Sequence, residues 1–213
     1  FGEDAAIVNA DGGTADKVDL QQAYVEYIAP GFEAGGILPS SVKLTAGRFV
    51  TLAGAEVIEA PSNWNVSRSF LFGYAVPFTH TGVRTNFGLF NDFLDTYIGL
   101  NNGWDNAIDN NSYKTFESGV GYEPLNGLKL FHTFYHGGEN DAVVTGKRWL
   151  MTNVATYDFT EKLSSMAEFS YGNQRNAINY IDPGSRQFGQ KHADWYGWAG
   201  YLKYAFTDKL STA

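Results

Sequence analysis

The chain has 213 residues, no cysteine, and a net charge of −8 set by 23 acidic against 15 basic side chains. The missing thiols exclude a disulfide scaffold, thiolate metal ligands and cysteine catalysis, and the acidic balance argues against nucleic acid as a partner. Aromatic residues make up 16% of the chain, with thirteen tyrosines and sixteen phenylalanines, against 18% charged residues; that bias favours strands over helices.

No apolar run approaches the roughly 20 residues that a membrane-spanning helix needs. A β-barrel needs only alternate apolar residues over about 9–11 positions per strand, so the mean hydropathy of −0.26 is compatible with one. No compositional break suggests a linker, and residues 1–213 read as a single domain. The chain opens at Phe1 with no export signal and reaches Ala213 just after a turn into a further strand, so it is expected to be a portion of a longer barrel.

The stretch from Thr51 to Ser67 lies between two strands and is too long for a turn; an ordinary outer loop is the preferred expectation, with a constriction folded inward as the alternative. From 83 to 90, Val83, Thr85, Phe87 and Leu89 alternate with Arg84, Asn86 and Gly88. From 94 to 101, Leu94, Thr96, Ile98 and Leu100 alternate with Asp95, Tyr97, Gly99 and Asn101. The same two-residue period, the signature of a strand with two unlike faces, continues over 115–123 and 163–172. Residues 128–136 and 148–158 carry apolar and polar side chains on both faces, so their orientation stays open.

A short motif punctuates these strands: Phe90-Asn-Asp-Phe-Leu94, Phe159-Thr-Glu-Lys-Leu163 and Phe206-Thr-Asp-Lys-Leu210, with Tyr122 to Leu128 as a longer variant. The closing leucines lie 34, 35 and 47 residues apart, the interval of one strand up, one loop and one strand back. Between the turns run polar stretches: Asn101 to Asn111, Gly137 to Asp141, and Gly172 to Gln190. Short turns at one end and longer polar loops at the other predict an all-β, antiparallel up-and-down transmembrane barrel of ten or eleven visible strands. The polar faces carry Gly, Asn, Ser and Thr rather than massed Lys and Glu, as a hydrated lumen would.

The segment from Leu44 through Gly47-Arg-Phe49 and Gly54-Ala-Glu56 to Phe70 resembles the OmpL-like β-barrel porins of Gram-negative outer membranes. The resemblance continues through Pro77-Phe-Thr-His-Thr-Gly-Val-Arg84 and Asn102-Gly-Trp-Asp-Asn106. The Gly47-Arg-Phe49 and Gly54-Ala-Glu56 pieces are also similar to phosphate-selective porins, which carry a proline between them where this chain has Leu52 or Ala53. The resemblance implies an outer-membrane barrel, passive diffusion of ions and small hydrophilic solutes, the lipid bilayer as partner, and no catalytic residue or cofactor. Porins as a group commonly trimerise, so a homo-oligomer is an expectation by analogy alone.

Arg48, Arg68 and Arg84 are the candidate pore-lining cations, since positive groups in a narrow passage concentrate anions. Glu26, Glu56, Glu59 and Glu117 are the candidates for the opposite wall; the alternative is that these charges pair with one another or face solvent. His132 and His136 would lie about 13 Å apart on a strand, too far to share one metal ion. The Asn101 to Asn111 stretch, with Asp105 and Asp109, lacks the correctly placed glycine and terminal glutamate of a calcium loop and reads as a solvated outer loop. Trp104, Trp149, Trp195 and Trp198 are expected in aromatic girdles at the membrane interfaces. Three rival readings remain at this point: a soluble carbohydrate-binding sheet protein, an outer-membrane hydrolase, and a plugged barrel acting as a sleeve for a partner.

Overall fold

The computed structural model describes residues 20–31, 37–39, 41–140, 146–181, 188–207 and 210–213. Ten strands follow one another in a single antiparallel sheet whose spatial order is the chain order. They are β1 (Ala23–Pro30), β2 (Ser41–Val50), β3 (Thr79–Leu89), β4 (Leu94–Asn101), β5 (Thr115–Leu125), β6 (Leu128–Gly138), β7 (Lys147–Asp158), β8 (Leu163–Ile181), β9 (Phe188–Thr207) and β10 (Leu210–Thr212). Among the described residues the sheet is open: β1 pairs with β2 and β10 with β9, each on one side. A single-turn helix, α1 (Phe70–Tyr74), lies in the long β2–β3 connection.

The predicted alternation sorts the faces. Arg84, Gly99, Asn101, Glu117, Glu168 and Ser170 point to one side, and Val83, Ile98, Leu100, Phe116 and Phe169 to the other. Polar side chains are buried on the first face, while large apolar ones, including Val25, Tyr196 and Trp198, are exposed on the second. That inversion of the usual globular arrangement is the pattern of a sheet whose outer side meets hydrocarbon.

The two strands left open by sequence are settled by register. In β6, Phe131, Thr133 and Tyr135 face inward and His132 and Phe134 outward; in β7, Leu150 and Thr152 face inward and Trp149 and Met151 outward. Each strand places large apolar or aromatic residues inside and at least one polar residue outside, so alternation alone could not orient it.

The short-turn end is built as the repeat predicts. Asn126 and Gly127 join the matched pair Leu125 and Leu128, with Gly127 at φ 84°, the positive value that the second position of such a turn requires. The turn is therefore tighter than the Tyr122 to Leu128 variant suggests. The last repeat joins Thr207 to Leu210, with residues 208 and 209 outside those described.

At the other end, the stretch Gly172 to Gln190, expected as a loop, is mostly ladder: β8 and β9 pair as far as Ile181 and Phe188, with a register shift between Gln174 and Ile178. A hairpin satisfies its backbone groups whether or not its side chains are apolar, so polarity did not mark the strand ends.

Stagger gives the strand tilt. One row of paired residues runs Phe87, Thr96, Val120, His132, Asn153, Phe169, Trp198. Beyond this row β3 continues two residues to Leu89, and β9 continues nine to Thr207. A slip of seven residues over six strand steps, at about 3.3 Å per residue and about 4.8 Å per strand, corresponds to a tilt of about 40°, within the range of membrane barrels.

Along β9 the outward residues Tyr196, Trp198, Gly200, Leu202, Tyr204 and Phe206 cover about 33 Å of strand, or about 25 Å of height at that tilt, the height of a lipid-facing band.

Candidate functional site

The inner face is organised by a cross-strand row: Glu26, Thr45, Arg84, Gly99, Glu117, Tyr135, Leu150, Gly172 and Trp195, one residue from each of β1 to β9. Arg84 and Glu117 are two strands apart, and Gly99 between them supplies the space in which they meet. Arg84 Nε donates to Glu117 Oε1 at 2.7 Å and Nη2 to Oε2 at 3.0 Å, a fork in which both oxygens are used. Nη1 donates to the Val50 carbonyl at 3.1 Å, and the guanidinium lies 4.1 Å from the centre of the Phe49 ring. Both side chains are buried.

Across this wall runs the connection from Thr51 to Phe78, a strap folded inward against the preferred expectation of an outer loop. Its base is closed by Thr51 N–H donating to the Phe78 carbonyl at 2.9 Å. From there its backbone is held strand by strand. Leu52 N–H donates to the Tyr135 hydroxyl at 3.0 Å, Gly54 N–H to Thr152 Oγ1 at 3.2 Å, and Ala55 N–H to Glu168 Oε2 at 2.9 Å. An extended strap has few backbone partners of its own, and polar wall residues on alternate positions of β6, β7 and β8 provide them.

The return limb packs by apolar contact. Ser69 caps α1 by accepting from Phe72 N–H at 3.2 Å, and its own N–H donates to Glu56 Oε2 at 2.9 Å. Its hydroxyl also donates to Glu56. Leu71 then seats over Gly197, where a Cβ would stand 2.6 Å from its Cδ2, and Trp195 Nε1–H donates to the Ala75 carbonyl at 3.1 Å. Ala53, Leu71, Ala75, Val76, Tyr135 and Leu150 form the apolar core, which thus lies between strap and wall, inside the curl of the sheet.

The tip of the strap reaches both margins of the sheet. Lys203 Nζ on β9 lies 5.6 Å from the Trp64 ring centre, and Glu59 accepts from Gln21 Nε2, just ahead of β1, at 2.8 Å.

Of the seven candidates, the structure joins Arg84 with Glu117 and places Glu56 at the closure of the strap. Glu26 is half exposed on the inner face, 3.2 Å from Lys43 Nζ and accepting from Thr45 Oγ1 at 3.2 Å. Glu59 is at the exposed strap tip. Arg68 is spent within the strap, donating to the Ile58 carbonyl at 3.0 Å and lying 5.4 Å over the Phe72 ring. Arg48 alternates onto the face opposite Phe49 and donates to Thr79 Oγ1 at 3.4 Å, so it does not join the inner row.

Sequence reasoning missed Tyr135, Thr152 and Glu168 as strap anchors. The signal available for Glu168 was a carboxylate on the polar side of a clean alternation.

Two of the four tryptophans expected in girdles behave otherwise. Trp149 and Trp198 face outward, but Trp104 and Trp195 meet edge-on inside, 6.0 Å apart, with the Arg148 guanidinium 4.4 Å from the Trp104 ring. Trp104 is carried there by the 102–114 loop. Its N–H donates to Glu139 at 2.9 Å, and the next residue, Asp105, accepts from Phe78 N–H at 2.9 Å and Thr79 N–H at 2.8 Å. Burial pushes the Asp105 carboxyl above its ordinary range, outweighing these hydrogen bonds and nearby His80. The loop is therefore tied to the strap rather than fully solvated.

A search of the curated proteins and one of the solved structures each find no match. The family model described as "Putative beta-barrel porin-2, OmpL-like" matches residues 1–213. A sheet with an apolar outside, a polar inside and a strap across its concave wall accords with that match, and the chain belongs to this OmpL-like β-barrel porin family.

Proposed function

We propose that the chain forms a diffusion pore in a bacterial outer membrane, passing ions and small hydrophilic solutes, with the 51–78 strap as its constriction. The observation that carries this reading is the strap itself: it crosses the concave wall and is fixed there by Tyr135, Thr152 and Glu168. A fixed strap narrows a hydrated lumen without moving parts, and passage past it is sorted by size and charge. Transport of this kind makes and breaks no covalent bond.

Arg84 plays a structural part here, because Glu117 neutralises it. The test is stepwise conductance of the full-length, detergent-purified protein in a planar bilayer, with reversal potential under a salt gradient. Open steps with a reproducible ion preference support the pore; protein that inserts and stays silent favours a plugged barrel.

A further inference from the structure

We infer that the outward face of β6 and β7 is a self-association surface centred on Asn153, and that its occupant is a second copy of this chain. The inference rests on the membrane reading above, because an outward amide demands a protein partner only where the surroundings are hydrocarbon.

Most outward positions suit lipid: Val25, Tyr27, Val83, Ile98, Leu100, Trp198 and Leu202 are all exposed apolar or aromatic groups. His132 and Asn153 break the pattern. They are directly paired in register, with His132 Nδ1 at 2.7 Å from Asn153 Oδ1 and the Tyr122 hydroxyl at 3.5 Å from His132 Nε2. They stand four and five residues from their turn ends, Leu128 and Asp158. At about 2.5 Å of height per residue on a tilted strand, that is about 10–13 Å above the turns, the middle of a band about 25 Å tall.

The imidazole has a partner on both sides, the Asn153 amide oxygen at Nδ1 and the Tyr122 hydroxyl at Nε2. The amide N–H2 of Asn153 has no acceptor among the described residues. Neither water nor an acyl chain can supply one at that depth, and a polar group facing out of a spanning element is the usual seat of a protein contact in membranes.

The relief beside it selects the occupant. The Asn153 oxygen keeps a second lone pair beside its contact with His132, so the N–H2 of one copy can donate to the oxygen of another and the group complements itself. Trp198 rises from β9 at 82% exposure, next to a mainly apolar groove floored by Ala155, Ala167 and Gly200, which are paired in register. Knob and groove lie on the same surface, the requirement for an isologous contact in which each copy fills the other.

The chain has no cysteine, so single cysteines report proximity directly. Asn153→Cys and a control, Val83→Cys on the outward face of β3, are oxidised in the full-length chain in lipid vesicles. The mass of the unmodified protein and of Asn153→Leu is measured by light scattering in detergent. The surface predicts covalent dimer for Asn153→Cys at least tenfold above Val83→Cys, a multiple of the chain mass for the unmodified protein, and loss of that multiple in Asn153→Leu. Asn153→Gln, which keeps the amide, serves where leucine impairs folding, and should retain the multiple.

Cross-linking no better at 153 than at 83, an unmodified protein of single-chain mass, or capture of a different protein by Asn153→Cys in native membranes overturns the inference while the pore reading stands. A chain that stays in the aqueous phase overturns both.

Discussion

Arg84 and Glu117 show how a charge that looks functional in sequence becomes structural in the fold. Gly99 on the intervening strand is the enabling residue: a Cβ there would collide with the Glu117 carboxylate and stand 2.8 Å from the Val83 carbonyl. Gly99→Ala should therefore separate the pair. Arg84→Ala, which leaves Glu117 buried and unpaired, should cost roughly 3–5 kcal/mol in urea unfolding from detergent micelles, and a loss below 1 kcal/mol would refute the assignment. Replacing both partners, Arg84→Met with Glu117→Gln, should leave the reversal potential unchanged, since no net charge leaves the wall.

Asp105 behaves oppositely to a salt-bridged carboxylate. Its folded pKa is raised by burial, so ionisation costs stability as pH rises from the ordinary carboxylate range through the raised value. Asp105→Asn keeps an acceptor for Phe78 and Thr79 and should flatten that dependence above the ordinary carboxylate range. Asp105→Ala strands two backbone donors and should destabilise at every pH by about 1–3 kcal/mol. Equal pH profiles for the native residue and Asp105→Asn would contradict the burial argument.

Elements divide into those that alternation can reveal and those that only register and contact can. β3, β4, β5 and the first half of β8 were legible because each faces two unlike media, so their side chains alternate in kind. β6 and β7 were not, because Tyr135 and Leu150 pack under the strap while His132 and Asn153 face outward. The strap was legible only as the less favoured of two readings of Thr51 to Ser67, and its attachment to the wall was not legible at all. Its anchors are a tyrosine, a threonine and a glutamate on three separate strands, and nothing local in Thr51 to Ser67 announces which wall they will share. The tryptophans failed for the same reason: Trp104 and Trp195 are girdle residues by composition, yet they are partly buried and pack against the core. Tyr135→Phe removes the acceptor of Leu52 N–H, and Glu168→Ala that of Ala55 N–H. Either should free part of the strap and broaden the distribution of conductance steps, whereas unchanged steps in both variants would show that the apolar packing of Leu71 holds it alone.

At the scale of the whole molecule, the up-and-down order, the two unlike ends and the polar inner face were all readable from the repeat and its period, and the family match agrees with them. Tilt was not readable, since it lives in the stagger between strands; polarised infrared dichroism of oriented membranes should return a strand angle near 40°, and an angle below 20° would contradict the register. The narrowing of the lumen is the claim on which the functional account turns. Glu56 and Ser69 hold the two ends of the strap tip together by hydrogen bonds, so residues 57–68 can be replaced by a short glycine-serine link without moving the anchors on the wall. The decisive measurement is single-channel conductance in a planar bilayer for the full-length protein and this shortened form. Stepwise openings are expected in both, larger in the shortened form and with weaker ion preference. Equal conductance in the two, or silence in both after insertion, would contradict this reading.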